Sequence, residues 1–236
     1  HNGTDTVGFR NGVATDVARL RTPQDGYRNY WAFSLVVHKQ MSDNFELLAS
    51  YTYSRISANT AGRGFGDRVG LSRDMDNPTQ RWHENGIATS DQPHVFKVSA
   101  SYDNPTVWKV SEKFSMGYAL GGIIDFRSGV PLNRLQVNNW TESYSNYVFK
   151  RGTRERLPAR LDLDLRASLA LKIVGTQVDI IVQVFNLLNS LDVIGADPRA
   201  LDADGEVVEG SSGAVFATPT DYSLPRRFEV GLRLTF

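Results

Sequence analysis

The chain has 236 residues, 26 acidic and 26 basic side chains, and no cysteine. The charge balance offers no basic excess for nucleic acid, and the absence of thiols excludes a disulfide framework or a cysteine-based metal site. Mean hydropathy is −0.32; no apolar run of about 20 residues could serve as a membrane helix, although alternating membrane strands would escape such a test.

The opening residues, HNGTDTVGFRNG, lack the basic and apolar regions of a signal peptide, so a signal for crossing an inner membrane is expected upstream of residue 1. Residues 1–26 read as a loop region. Seven alternating segments follow, each with one apolar and one wet face. Tyr27 to Lys39 sets Tyr27, Trp31, Phe33, Leu35 and Val37 against Arg28, Ala32, Ser34 and His38. Phe45 to Ser57 sets Phe45, Leu47, Ala49, Tyr51 and Tyr53 against Glu46, Ser50, Thr52 and Ser54. His94 to Tyr102 sets Phe96, Val98, Ala100 and Tyr102 against Lys97, Ser99 and Ser101. Lys113 to Arg127 sets Phe114, Met116, Tyr118, Leu120, Ile124 and Phe126 against Lys113, Ser115, Gly117, Asp125 and Arg127. Leu161 to Leu171 places leucines against Asp162, Asp164, Arg166 and Ser168. Val178 to Phe185 alternates less cleanly, because Ile181 and Phe185 fall on its polar face. The chain closes on RRFEVGLRLTF, where Phe228, Val230, Leu232, Leu234 and Phe236 alternate with Arg227, Glu229, Gly231, Arg233 and Thr235.

These segments are longer than the roughly 5–6 residues usual in globular sheets, and they carry charge well inside their polar faces. A tilted strand crosses a bilayer in about 9–11 residues. The connections alternate: short at Gln40 to Asn44, Asp103 to Glu112 and Val174 to Thr176, long at 58–93, 129–159 and 190–225. Outer-membrane barrels pair short periplasmic turns with long extracellular loops in this way, whereas a soluble sandwich has no reason to. The expectation is an all-β, antiparallel transmembrane β-barrel segment of about seven long strands, with residues 27–236 in the wall and its loops. With the C-terminus in the periplasm, seven strands place residue 1 outside the cell. An odd count then implies either one strand more than the alternation reveals or the C-terminal part of a larger wall, and the lack of a signal peptide favours the second.

Chemistry-bearing residues are sparse. His1, His38, His83 and His94 show no ligand spacing, and no nucleophile or acid–base cluster is visible, so no enzyme and no cofactor are expected. Asp202, Asp204 and Glu206 around Gly205 form a weak candidate for Ca²⁺, with Asp-Gly an equally ordinary turn. Asp74, Asp76 and Asn77 invite the same reading. AGRGFGDRVG, with Gly62, Gly64, Gly66 and Gly70, lacks the strand–helix context of a phosphate loop. The wet faces give Asp162, Asp164, Arg166, Arg227, Glu229 and Arg233 as lumen-lining charges. The long loops carry Phe65, Trp82, Trp140, Tyr144, Tyr147 and Phe149 with Arg63, Arg68, Arg73, Arg151, Arg154 and Arg156, a composition suited to capturing a ligand or partner.

Several motifs, in order, resemble TonB-dependent outer-membrane transporters, with the nearest likeness to the Oar-like branch that carries a carboxypeptidase-regulatory-like domain. They are YWAFSLVVHKQMSDNFELLASYTYSR (Tyr30–Arg55), DQPHVFKVSASYDNP (Asp91–Pro105), FRSGVPLN (Phe126–Asn133), LPARLDLDLRASLALKIVGTQVDIIVQVFNLLNS (Leu157–Ser190) and RRFEVGLRLTF. The likeness covers most of residues 27–236 and fails in the long loops. It implies a plugged barrel of about 22 strands, of which this chain supplies roughly the last third. It further implies as partners the N-terminal remainder of the barrel with its plug, the TonB–ExbB–ExbD complex acting through a TonB box absent from this sequence, outer-membrane lipid, and the barrel assembly machinery. That machinery would read Phe228, Val230, Leu232, Leu234 and Phe236 as an assembly signal. An outer-membrane binding component and a passive porin fit the same alternation.

Overall fold

The structure is a computed structural model describing residues 7–10, 13–16, 26–59, 82–111, 114–138, 143–202, 204–210 and 213–236. Seven long strands make its wall: β1 (Arg28–Ser42), β2 (Phe45–Ala58), β3 (His94–Ser111), β4 (Phe114–Arg127), β5 (Arg160–Ile173), β6 (Thr176–Phe185) and β7 (Arg227–Thr235). Each pairs antiparallel with its sequence neighbour, giving one meander in chain order. The fold class is the one the alternation implies. Among the described residues β1 pairs on its long side only with β2, and β7 only with β6, so both edges of the sheet are open.

Two of the tight turns follow from local chemistry. Asp43 and Asn44 have φ of 51° and 64°, and Val174 and Gly175 have 47° and 88°. Left-handed backbone at both central residues is the type I′ geometry that matches the twist of a hairpin. Asp, Asn and Gly adopt it at little cost, whereas Val174 is a β-branched residue held there by the ladder on either side.

The connection expected at Asp103 to Glu112 is a correction. Asp-Asn-Pro reads as a turn, yet β3 runs on to Ser111 and pairs there with Phe114. The register shifts between Asn104 and Trp108, so Pro105 sits in a bulge, where its missing N–H breaks no regular ladder. Gly117 accommodates it: a Cβ at that position would stand 2.5 Å from the Pro105 carbonyl oxygen.

The long connections all leave the other end of the wall and carry short strands of their own. Pro131–Leu132 pairs with Glu155–Arg156, and Leu135–Asn138 pairs with Ser143–Tyr147. Val193–Ala196 pairs with Pro219–Tyr222, and Glu209–Gly210 pairs with Gly213–Ala214. A parallel pairing of Arg199–Leu201 with Leu135–Asn138 stitches the third loop to the second. Within the region read as loop at 1–26, Val7–Arg10 and Val13–Asp16 form a small hairpin.

Burial runs opposite to that of a soluble domain. Among the described residues the fully buried large side chains are Arg151, Glu84 and Asp91 in the loops, while Phe228, Val230 and Leu232 on the wall are 66%, 75% and 73% exposed. A contiguous exposed apolar surface of this kind needs a cover, and lipid is the cover that suits long amphipathic strands.

Candidate conduit wall and loop crown

The registers carry one apolar face across all seven strands. Leu35, Tyr51, Phe96 and Phe126 lead on to Leu161, and two levels lower Ala100, Gly122, Leu165, Val184 and Phe228 lie side by side. No charged residue interrupts this face between Trp31 and Val37, between Phe45 and Tyr53, or anywhere from Phe228 to Phe236. Aromatic rings mark both of its ends. At the long-loop end Trp31 packs edge-on against Tyr53 (5.2 Å between centroids), Tyr53 lies 5.1 Å from the His94 ring, and Tyr51 Oη is 2.9 Å from His94 Nδ1. At the short-turn end Tyr102 and Tyr118 lie 5.9 Å apart, and Lys39 Nζ sits 5.3 Å from the Phe45 ring centre. From Phe45 to Tyr53 the strand climbs eight residues, which at about 3.4 Å per residue and about 40° tilt spans roughly 21 Å, within the ~25 Å apolar band of an outer-membrane wall.

The opposite face gathers the charges. Lys97, Asp125 and Asp162 stand directly across from one another on β3, β4 and β5. Asp125 is the hub: Arg127 Nε reaches it at 2.7 Å and Lys97 Nζ at 3.5 Å. Those two cations offset the juxtaposed Asp162 carboxylate, a like-charge pair that would otherwise be unfavourable. Arg160 lies 4.0 Å from Asp162 and is opposite Arg127.

The six charges read from sequence all share this polar face. Asp162, Asp164 and Arg166 stand on β5, and Arg227, Glu229 and Arg233 on β7, with β6 between them. Gln183 separates Arg166 from Glu229, and Asp179 lies opposite Arg233. Asp164 Oδ1 accepts the Asn186 amide at 2.9 Å, and Arg227 Nε reaches Glu229 at 3.0 Å. The apolar intruders on the β6 polar face have local partners: the Arg227 guanidinium covers the Phe185 ring at 4.4 Å, and Ile181 faces Gly231.

Sequence patterning does not reveal how the loops lock together. Asp91, 1% exposed, receives Arg156 Nη2 at 2.6 Å and the Ile56 amide at 2.8 Å. Arg156 Nη1 also donates to the Asp91 and Gly129 carbonyls, both at 3.0 Å. Arg151, equally buried, donates to the Ala58 carbonyl at 2.8 Å, and its backbone pairs with His83 and Ile87. The second loop thus closes over the end of β2 and over the first loop. In the third, Asn186 and Asn189 have φ of 50° and 54°. Asn186 Nδ2 bridges the Ser190 and Leu224 carbonyls at 2.8 Å, and Asn189 Oδ1 accepts the Arg226 amide at 3.0 Å. The Asn-x-x-Asn of NLLNS is therefore a clamp on the neck of the third loop.

The remaining candidates are scattered. His38 Nε2 lies 3.5 Å from Glu46, and His83 Nδ1 is 2.7 Å from the Tyr147 carbonyl oxygen. Asp202 Oδ1 accepts the amides of Asp204 and Glu206 at 3.0 and 2.9 Å, closing the turn around Gly205 (φ 87°). Its carboxylate is thus engaged by backbone, and no group of three or more acidic or histidine side chains is arranged for a metal among the described residues. Trp82 and Phe149 are exposed beneath Lys150 and Arg154, at 5.7 and 4.7 Å. His1, Arg63, Phe65, Arg68, Arg73, Asp74, Asp76, Asn77, Trp140 and the four glycines from Gly62 to Gly70 lie outside the described residues, as does the side chain of Tyr144.

A family model for the outer membrane beta barrel domain matches residues 17–172. No curated protein and no solved structure matches. The matched span takes in β1 to β4 and most of β5, and the same two-faced pattern continues without a break into β6 and β7. The chain therefore belongs to the outer membrane β-barrel domain family, and its long strands are the transmembrane strands of an outer-membrane protein.

Proposed function

We propose that this chain is the C-terminal part of the wall of a TonB-dependent outer-membrane transporter, taking up a large or scarce substrate. The observation that carries the reading is the open sheet. In hydrocarbon an unpaired strand edge costs several kcal/mol per exposed backbone group, so the edges of β1 and β7, free among the described residues, call for further strands and a larger barrel. The ordered motifs from Tyr30 to Phe236 favour the TonB-dependent class among large barrels, and the neck clamp at Asn186 and Asn189 gives one of them a physical role. On this reading the short turns and Phe236 face the periplasm and the long loops face outward. Asp162, Asp164, Arg166, Arg227, Glu229 and Arg233 then line the lumen, beside the Lys97–Asp125–Arg127 cluster. The last strand also carries the assembly signal.

Deleting the full gene and the tonB gene of its host, singly and together, tests the proposal. Growth is scored on iron chelates, cobalamin, glycans and peptides as limiting nutrients. A shared defect that is no worse in the double deletion is expected. Additive defects, or steady ion conductance by the purified full-length protein in a planar bilayer, would favour a passive porin and overturn the proposal.

A further inference from the structure

The aromatic group at the long-loop end of the lipid-facing side is a connected set of rings. Trp31, Tyr53 and His94 touch in series across β1, β2 and β3, and the Tyr51 hydroxyl holds His94 Nδ1 at 2.9 Å. One step further toward the loops, Arg55 stands directly opposite Trp31 on the same face. Arg55 is exposed and has no hydrogen bond or ion pair among the described residues. No acidic residue lies on that face of β1, β2 or β3, whereas Lys97 and Arg127 on the opposite face have Asp125. The wall thus holds an uncompensated guanidinium above a fixed platform of rings, at the level where the apolar band ends.

We propose that this platform binds the phosphorylated sugar headgroup of an outer-leaflet glycolipid. The rings offer stacking faces to a pyranose, and the planar fork of Arg55 suits bidentate contact with a phosphate. A simple phospholipid would satisfy the cation but leave the platform without a ring to stack on. The inference rests on the orientation given under Proposed function, with the long loops outside, and not on energised transport.

Native mass spectrometry of the detergent-purified full-length protein reads the binding. The probes are bisphosphorylated lipid A, its dephosphorylated form and phosphatidylglycerol. Wild type is expected to hold lipid A in preference to both others, and Arg55→Gln to weaken it about tenfold or more, the usual scale for losing a charge-assisted contact. Arg55→Lys, which keeps charge but not the fork, is expected to fall between them and serves if Arg55→Gln does not insert. Equal binding by wild type and the variants, or equal binding of lipid A and phosphatidylglycerol, would overturn the proposal. Thr153→Cys, on an exposed stretch of the second loop, checks orientation with an impermeant maleimide on intact cells. Labelling only after cell rupture would overturn this inference and the proposed orientation together, whereas normal surface labelling with unaltered lipid A binding by the variants would overturn this inference alone.

Discussion

Arg156 of the second long loop places Nη2 2.6 Å from Oδ2 of Asp91 in the first, where Asp91 is 1% exposed. Removing the cation strands a buried carboxylate, a loss typically of about 3–5 kcal/mol when both partners are buried. Arg156 keeps a third of its side chain in contact with solvent, which points to the low end of that range. With the long loops outside, as proposed, Arg156→Ala in the full-length protein is expected to open both loops to protease on intact cells while leaving the wall folded. Asp91→Asn, which can still accept the Ile56 amide, is expected to do so less.

The two faces of the wall differ in their tolerance of charge. Leu165 lies mid-strand on the apolar face between Gly122 and Val184, and its neighbour Ser168 lies on the polar face. Leu165→Arg is expected to destabilise the full-length barrel by about 2–4 kcal/mol, and Ser168→Arg by much less. Urea unfolding in lipid vesicles, followed by heat-modifiable gel mobility, would show the difference.

Val174 occupies a left-handed position in the turn between β5 and β6, with φ of 47°. Asn or Gly suits that conformation, and a β-branched side chain does not. Val174→Asn is expected to stabilise the hairpin by about 1 kcal/mol. Gly175→Val, at φ 88°, is expected to destabilise it. The same unfolding assay reads both.

Acid should loosen the third loop locally. The Asp197 carboxyl is held below its ordinary value of 3.8, first by hydrogen bonds from the Arg199 side chain, with burial opposing. A carboxylate with a lowered folded-state pKa contributes stability that is complete above the unfolded value and disappears as pH falls through the folded one. Hydrogen exchange around 193–199 is therefore expected to gain protection relative to an Asp197→Asn variant above the ordinary carboxylate value. The difference should fade as pH falls below that value and vanish only below the lowered folded-state one, after correction for intrinsic exchange. A difference independent of pH would overturn this linkage.

Period-2 patterning is a local property, so the side of the wall on which Leu161, Leu163, Val182 or Phe228 falls is readable from a few neighbours. The polar face is equally legible as a set, and Asp162, Asp164, Arg166, Arg227, Glu229 and Arg233 can be assigned to it from their spacing alone. Their partners are not legible, because Lys97, Asp125 and Asp162 meet only once three strands are in register, and Arg166 meets Glu229 only through Gln183. Loop packing is less accessible still. Asp91 and Arg156 are 65 residues apart, and nothing periodic links them. Asp103-Asn104-Pro105 misleads for a different reason. The turn chemistry is real, but a bulge uses it without reversing the chain, and only the space above Gly117 distinguishes the two outcomes.

Because the second loop is pinned to the first through Asp91 and Arg156 and to the third through the strand at Leu135, the three cannot diversify independently. A change of shape in one must be met by its neighbours or rejected. Freedom to vary then concentrates at tips hung outside the knit, such as the hairpin of Glu209–Gly210 and Gly213–Ala214, whose described residues are exposed and pair only with each other and the adjoining stretch. On the orientation proposed above, such a tip can accept an inserted epitope, or escape an antibody or phage, without disturbing the mouth of the wall beneath it.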